Sequence, residues 1–387
     1  MLSQDLLTTD NLLKVIQGEF ELKRLPERPL ELLRAWDAAD EYLLNTLTDE
    51  LKPLNKARLL IFNDSFGALA VALSEYCPQA VSDSYLSQQS TRLNLVANGL
   101  PEDSVTLINS LERLDGIFDI VLIKAPKTLA LLEDQLLRLR PHIMPATKII
   151  LAGMIKGLPP SIWKLLERYI GPTTTSLARK KARLVFTSFD SSLIVPNNPY
   201  PVYYKLEASE YLIGNHANVF SRDNLDIGTR FFLQYLPVTQ GGFDIIDLGC
   251  GNGLLGLIAA ERNPLATIHF VDESFMAVAS AKENFFRAFG KDRLVTFHVG
   301  DGLKDFEKTS VDLVICNPPF HQQNTVGDQI ASSMIKESRK VLRKGGELWL
   351  IGNRHLNYHI NLNRVFGNHS IVAANNKFVI LKAIVLS

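Results

Sequence analysis

Short apolar runs alternate with longer amphipathic segments along the chain, a pattern typical of strands that alternate with helices. In the second half, the run from Phe243 to Leu248 predicts a buried strand, and after a glycine-rich turn a helix is predicted to begin near Leu254. Three further apolar runs end at Asp272, Asp301 and Asn317. The pattern predicts an α/β fold whose polar positions lie at the carboxyl ends of parallel strands, where open sheets bind ligands.

The first half of the chain repeats the pattern of the second. ARLLIFNDSFGALAVALSEYCPQ aligns with FDIIDLGCGNGLLGLIAAERNPL, FDIVLIKAPK with VDLVICNPPF, and TKIILAGMIKG with GELWLIGNRHL. Self-similarity on this scale indicates a duplicated domain. Between the halves, DSSLIVPNNPYPVYY is rich in Pro and Asn and is typical of a linker. We therefore predict domains at residues 1–190 and 206–387, joined by a linker at 191–205.

Composition excludes several classes of protein. Apolar residues make up 46% and charged residues 21% of the 387 positions, which is ordinary for a soluble globular protein. The chain has neither an apolar run long enough for a membrane span nor a secretory signal pattern, so we expect a cytoplasmic protein without membrane attachment. Cys77, Cys250 and Cys316 lack paired spacing, so no disulfide or metal site is expected. Because the net charge is zero, any nucleic-acid contact must come from local basic patches.

The turn DLGCGNG has the features of a nucleotide cradle. Three glycines let the backbone turn tightly and approach a ligand, and the helix that follows offers free N–H groups: Gly249, Gly251 and Gly253. Asp247 is placed to interact with a cation or a ligand amine. Asp272 ends the next strand, where nucleoside-binding sheets use a carboxylate against ribose hydroxyls. The glycine spacing also matches GxGxxG, so the loop alone leaves a nicotinamide oxidoreductase, or simple turn chemistry, open.

The tetrapeptide NPPF discriminates between these functions. The Asn317 side-chain oxygen and a backbone carbonyl at the prolines can accept hydrogen bonds from a planar amine and orient its lone pair. Pro318 and Pro319 fix the backbone and remove competing donors. Phe320 offers a flat face on which a flipped-out base can stack. A dehydrogenase has no need of this arrangement, although a rigid loop that stops a strand is an alternative explanation of NPPF.

DLGCGNG, VDES, GDGL and NPPF, in this order, resemble the class I methyltransferases that methylate amino groups. The resemblance implies S-adenosylmethionine as cofactor and a Rossmann-like, seven-stranded mixed sheet with helices on both faces and its last strand antiparallel. It implies that Asp301 binds the adenine amine and Asp272 the ribose. The segment 218–237 resembles the part of the family that closes over the cofactor, which implies further cofactor contacts: Phe220, Asp226, Gly228 and Thr229.

The first half lacks the residues that would carry this chemistry. Asn63 and Ser65 replace two loop glycines, Ile61 stands at the position of Asp247, and Lys124 and Lys127 stand where NPPF has Asn and Phe. We therefore expect two tandem Rossmann-like class I methyltransferase domains, the N-terminal one degenerate. This organisation resembles bacterial ribosomal RNA guanine-N2 methyltransferases, and PLELLRAWDAADEYLL at 29–44 is similar to the start of the large-subunit methyltransferase G family.

The resemblance implies methylation of a guanine amine in 23S rRNA, naked or in an assembly particle. We expect the enzyme to be a monomer. The degenerate half would then hold RNA, its cations contacting phosphate; a solvated charged face is the alternative. The candidate RNA contacts are Lys124, Lys127, Arg179, Lys180, Lys181 and Arg183. Other functions that remain open are methylation of a 16S rRNA guanine, of a release-factor glutamine or of another amino group, and an RNA-binding scaffold without enzymatic activity.

Overall fold

One strand order occurs twice in the computed structural model, which describes residues 11–27, 33–47, 57–239, 241–319 and 325–386. The chain divides into two units, Met1–Pro199 and Tyr200–Ser387. Within the described residues each unit contains a seven-stranded sheet. The division falls inside the segment that we predicted as a linker.

The first unit begins with an antiparallel hairpin, β1 (Leu12–Val15) and β2 (Gly18–Glu21). Its other strands are β3 (Leu59–Phe62), β4 (Gln79–Ser82), β5 (Thr106–Asn109), β6 (Ile120–Lys124), β7 (Lys148–Met154), β8 (Thr173–Thr175) and β9 (Ala182–Thr187). Within its described residues the α-helices are α1 (Ala38–Thr46), α2 (Ala68–Ala72), α3 (Tyr85–Ala97), α4 (Leu129–Leu139) and α5 (Ser161–Tyr169). The sheet order is β5-β4-β3-β6-β7-β9-β8, and β9 is antiparallel to both of its neighbours.

The second unit repeats this arrangement. It begins with the antiparallel pair β10 (Val202–Lys205) and β11 (Leu212–Asn215). Its sheet contains β12 (Asp244–Leu248), β13 (Thr267–Asp272), β14 (Val295–Val299), β15 (Val311–Cys316), β16 (Leu342–Asn353), β17 (Ser370–Ala374) and β18 (Phe378–Ile384). Its helices are α6 (Ile227–Leu233), α7 (Leu254–Arg262), α8 (Phe275–Phe289), α9 (Thr325–Val341) and α10 (Tyr358–Phe366). Residues 202–205, which we had predicted as linker, are therefore a strand, because Val202–Lys205 pairs with β11.

The second sheet has the order β14-β13-β12-β15-β16-β18-β17, the equivalent of the first. Its last strand in the chain, β18, is antiparallel to β16 and β17, as the family resemblance implied. The predicted strand and helix around the glycine loop are confirmed by β12 and α7. The duplicated strand order agrees with the internal repeat inferred from the sequence.

The cores explain why these strands are apolar on both faces. In β12, Ile245 packs with α6, α7 and α8 on one face of the sheet, whereas Ile246 packs with α9 and α10 on the other. In β3, Ile61 and Leu60 divide in the same way between the two faces. A strand covered by helices on both faces reads as a continuous apolar run. Within the described ranges, no helix is long and apolar enough to cross a bilayer.

Candidate functional site

Four parallel strands of the second unit bring the predicted site residues to one edge of the sheet. The strands β14, β13, β12 and β15 are neighbours in that order. Their carboxyl ends lead into Asp301, Asp272, the glycine loop and Asn317 respectively. The register places Leu248 opposite both Val271 and Cys316, so the three central strands end at the same level. The edge is therefore the ligand-binding side that parallel topology predicts.

The glycine loop adopts backbone conformations that only glycine takes without strain. Gly249, Gly251 and Gly253 have φ values of 70°, 54° and 78°. A Cβ added at Gly253 would lie 2.6 Å from the Cβ of Ala281, so this glycine allows α7 and α8 to pack closely. A Cβ at Gly251 would meet no atom within 4 Å. Packing therefore explains Gly253, whereas the backbone at Gly251 is open on the side where a Cβ would lie.

Asp272 connects the loop to the neighbouring strand. One of its carboxylate oxygens accepts a hydrogen bond from the Gly251 N–H at 3.0 Å, and the other accepts from the Ser274 N–H at 3.0 Å. Burial raises the pKa of Asp272, an effect that these two backbone donors oppose. The N-cap of α8 is Ser274, whose hydroxyl accepts from the Ala277 N–H, so Asp272 is not the cap of this helix. Asp272 thus lies within reach of a ligand in the open space at Gly251.

Asp247 is placed differently from the sequence prediction. Its side chain is fully buried, and one oxygen accepts from the Gly256 N–H at 2.8 Å, in the first turn of α7. The other oxygen has no hydrogen-bond partner among the described residues. Burial raises the pKa of Asp247 to about 8. The expected direct contact with a cation or ligand amine is not supported by this geometry, because the carboxyl group points into the packing between β12 and α7.

Asn317 follows β15 at the same edge, and its amide is held on one side only. The Nδ2 atom donates to the Thr229 hydroxyl oxygen at 3.0 Å. The Oδ1 atom is buried and, within the described part of the chain, has no hydrogen-bond partner. Pro318 is buried and Pro319 is exposed. Phe320, the predicted stacking residue, lies outside the described residues.

The segment predicted to close over the cofactor contains Thr229, the hydrogen-bond partner of Asn317. Asp226 is the N-cap of α6, and its carboxylate accepts from the Thr229 N–H at 2.7 Å. Gly228 is buried, and a Cβ there would lie 3.3 Å from the ring of Phe378, so this glycine lets α6 lie close against β18. Phe220 is 66% exposed. The segment therefore places the start of α6 beside Asn317, while Phe220 remains an exposed side chain.

Asp301, for which the resemblance implied contact with the adenine amine, forms an ion pair with Lys304. The hydrogen bond between them raises the pKa of Lys304. The carboxylate is partly buried and lies next to β14 at the sheet edge. A ligand that contacted Asp301 at this edge would share the carboxylate with Lys304.

A polar network that the sequence analysis missed holds the glycine loop from outside. Asn252, between two loop glycines, donates to the Asn215 side-chain oxygen at 2.9 Å and to the Tyr204 hydroxyl at 3.3 Å. Asn284 donates to the Asn252 carbonyl at 2.9 Å. The position of Asn252 inside the motif was a signal for it. Its partners lie on β10, β11 and α8, and only the tertiary fold shows them.

The first unit fills the equivalent edge with its own side chains. Lys124, at the end of β6, contacts the carboxylates of Asp37 and Asp40 at 2.8 and 2.7 Å. Burial lowers the pKa of Lys124, but the two carboxylates outweigh it and the net pKa is raised. Asp64, beside Asn63, accepts from the N–H groups of Gly67, Leu69 and Ala70 at the start of α2. Groups that a ligand would use are therefore already satisfied within the unit.

The remaining basic candidates of the first unit lie on its surface. Lys180 and Lys181 form the tip of the β8–β9 hairpin and are exposed, and Lys180 pairs with Glu41 at 2.8 Å. The guanidinium of Arg179 lies 4.9 Å from the ring centre of Tyr42. Lys127 is exposed and Arg183 is partly buried.

The edge of the second unit fits S-adenosylmethionine. The backbone at Gly251 is open to a ligand, and the Asp272 carboxylate beside it has the chemistry to accept from sugar hydroxyls. Within the ranges that the structure covers, no group of His, Cys, Asp and Glu side chains could hold a metal ion.

Comparison with known proteins agrees with this geometry. Residues 10–191 match the RLMG N-terminal domain, and residues 210–382 match the Methyltransferase small domain. A ribosomal RNA large subunit methyltransferase G from Streptomyces griseus is 48% identical over 95% of this chain and 98% of its own length. One from Stutzerimonas stutzeri is 50% identical over 95% of this chain and 97% of its own.

Among solved structures, a 16S rRNA N2 methyltransferase from T. Thermophilus, in complex with AdoMet and guanosine, is similar with a TM-score of 0.75. The similarity extends over 96% of this chain and 97% of the other chain, with 20% sequence identity, and it shows a shared fold. The fold and the site define an S-adenosylmethionine-dependent methyltransferase. The chain belongs to the ribosomal RNA large subunit methyltransferase G family.

Proposed function

We propose that this enzyme methylates the exocyclic N2 amine of a guanine in 23S rRNA. The observation that carries the proposal is the Asn317 amide, whose buried Oδ1 has no donor among the described residues. A buried acceptor without a donor is costly, and an amine of the substrate would supply the donor. The names of the relatives, which are large-subunit methyltransferases along nearly their whole length, favour 23S over 16S rRNA. A cytoplasmic monomer is the simplest form consistent with this function.

The residues of the site supply orientation rather than a strong base. Asn317 Oδ1 and the Pro318 carbonyl accept hydrogen bonds from the two amine hydrogens. This leaves the nitrogen lone pair unused and orients it toward the glycine loop. Pro318 and Pro319 contribute no N–H donors that would compete for these acceptors. Phe320 stacks on the guanine. Asp272 holds the ribose of the cofactor and Asp301 its adenine amine. When bound, S-adenosylmethionine supplies an electrophilic methyl group and a neutral leaving group.

Removal of the Asn317 acceptor tests this assignment. We expect Asn317→Ala to lose methylation of 23S rRNA by roughly 100-fold or more, because the amine loses its orientation. Affinity for S-adenosylmethionine should change by less than about threefold, since the cofactor contacts proposed here lie on other strands. The substrate is 23S rRNA taken from cells that lack the enzyme. It is incubated with the wild type or the variant, and its methylated nucleosides are then mapped by mass. Methylation that survives the substitution, or a product other than N2-methylguanine, would contradict the proposal.

We further propose that the first unit is a degenerate copy that binds RNA and not the cofactor. The contacts of Lys124 with Asp37 and Asp40 support the absence of cofactor binding, since they neutralise and fill the edge. The same contacts remove Lys124 from the proposed RNA contacts, because its ammonium group is both paired and largely buried, whereas Lys180 is paired with Glu41 but exposed. The proposed phosphate contacts are Lys127, Arg179, Lys180, Lys181 and Arg183.

A further inference from the structure

The contact between Thr229 and Asn317 joins the start of α6 to the end of β15. The Asn317 Nδ2 atom donates to Thr229 Oγ1 at 3.0 Å, while Oδ1 on the other side of the amide is buried without a partner among the described residues. A primary amide has a donor side and an acceptor side, and its two orientations are nearly identical in shape. A hydroxyl can serve either side of an amide; here it accepts from Nδ2, and an amide held in this way presents its oxygen on the other side.

Thr229 is itself fixed by the fold. Its backbone N–H donates to the Asp226 carboxylate at 2.7 Å in the N-cap of α6. The neighbouring Gly228 permits close packing on Phe378 of β18, which sets the distance of the helix from the sheet. The hydroxyl that receives the Asn317 amide is therefore presented from a rigid position rather than from a mobile loop.

In the first unit, the positions equivalent to Thr229 and Asn317 also contact each other, but they carry charged side chains. Asp37 is the N-cap of α1 as Asp226 is of α6, and Asp40 follows three residues later as Thr229 does. Asp40 contacts Lys124, which ends β6 as Asn317 follows β15. The contact between helix start and strand end is thus a feature of the duplicated fold. In the first unit the contact is an ion pair. In the second it is a hydrogen bond between neutral groups, and the Asn317 oxygen has no partner among the described residues.

We infer that Thr229 is a positioning residue that fixes the Asn317 amide with its oxygen toward the substrate amine. The inference rests on the proposed function, in which that oxygen accepts from the exocyclic amine. With the amide reversed, its NH₂ group would face the NH₂ group of the base, and two donors cannot hydrogen-bond to each other. Thr229 therefore acts through Asn317, which differs from the cofactor contact that the family resemblance implied for it.

The pair Thr229→Val and Thr229→Ser tests the inference. Valine keeps the shape of threonine but cannot accept a hydrogen bond, whereas serine keeps the hydroxyl. We expect Thr229→Val to lower kcat for 23S rRNA by about 10- to 100-fold, as small losses of orientation do. Thr229→Ser should stay within about threefold of the wild type. The affinity for S-adenosylmethionine, measured by calorimetry on the full chain, should be unchanged in both.

A double variant separates positioning from a structural effect. Because Thr229 acts through Asn317, the variant Asn317→Ala with Thr229→Val should be no slower than Asn317→Ala alone. Wild-type kcat in Thr229→Val would overturn the inference, and so would cofactor affinity that falls in proportion to the rate, since Thr229 would then be a cofactor contact. A wild-type chain that does not methylate 23S rRNA would instead overturn the proposed function, and the inference with it.

Discussion

Asp247 is a carboxyl group that the fold buries completely, and its protonation couples stability to pH. Burial raises its pKa from the usual 3.8 of an aspartate to about 8. Between these values the folded chain holds a proton that the unfolded chain has lost, so the free energy of unfolding decreases as pH rises through this window. We expect Asp247→Asn to remove much of that decrease. As pH rises from about 5 to about 8, the free energy of unfolding of the variant should therefore increase by about 1–3 kcal/mol relative to that of the wild type.

Denaturant unfolding of the two proteins at both pH values measures this difference. Asp223→Asn is the matched control, because Asp223 is an exposed carboxylate of the same unit. It should leave the pH dependence as it is in the wild type. If Asp247→Asn unfolds with the same pH dependence as the wild type, Asp247 does not bind the proton that its burial implies.

At the scale of elements, the β8–β9 hairpin turns through two lysines in an unfavourable conformation. Lys180 and Lys181 have φ values of 48° and 63°, and Arg179 and Ala182 exchange both backbone hydrogen bonds around them. Such two-residue turns favour Asn-Gly, since left-handed backbone costs other residues about 1 kcal/mol. Two cations at this tip are consistent with retention for binding rather than for stability.

Replacement of the tip by the favoured turn should therefore separate stability from binding. We expect the variant Lys180→Asn with Lys181→Gly to stabilise the first unit by roughly 0.5–1 kcal/mol, because relief of two left-handed residues outweighs loss of the exposed Lys180–Glu41 ion pair. It should also weaken binding of 23S rRNA. The slope of log affinity against log salt should fall by about 1–2, the loss of two phosphate contacts. Lys156→Gln with Lys164→Gln removes two exposed lysines of the same unit elsewhere and should change neither. Equal losses in the two variants would show a general charge effect instead.

Elements were predictable from the sequence where the information is local. The strand from Asp244 to Leu248 is a short apolar run followed by glycines, so both its existence and its end could be inferred. The strand Val202–Lys205 was hidden by the Pro- and Asn-rich residues before it. The inward direction of Asp247 also escaped prediction, because a strand end does not show whether its side chain points to the crevice or to the helix behind it.

Contacts between distant residues could not be predicted at all. Asn317 and Thr229 are 88 residues apart, and Lys124 and Asp37 are 87 apart. Sequence motifs placed Asn317 and Lys124 at equivalent strand ends, but not the helix starts that contact them. Those contacts depend on where α1 and α6 pack on their sheets, which neither periodicity nor spacing specifies.

At the scale of the whole molecule, two sheets of one topology raise the question of how many cofactor molecules a chain binds. The loop glycines of the second unit are replaced in the first by Asn63 and Ser65, and the edge beside them contains the ion pairs of Lys124. Removing a buried charge from its partners is costly. Loss of the glycines and filling of the edge are therefore two independent barriers to binding.

We expect one S-adenosylmethionine per chain, bound by the second unit. Calorimetry should give a stoichiometry near one, and hydrogen exchange should show protection in residues 249–253 and not in residues 63–67. Restoring the glycines with Asn63→Gly and Ser65→Gly should not add a second site, because Lys124 still occupies the edge. A second equivalent of bound cofactor, in the wild type or in this variant, would contradict the prediction.

The matched pair Gly251→Ala and Gly367→Ala tests whether the single equivalent belongs to this loop. Both glycines have positive φ values, 54° and 76°, and an added Cβ would meet no atom within 4 Å at either. Alanine should therefore cost about 1 kcal/mol of stability at both positions. Only at Gly251 does the added methyl group enter the space proposed for the cofactor, so only there should affinity fall, by about tenfold or more. Equal affinities in the two variants would place the cofactor elsewhere.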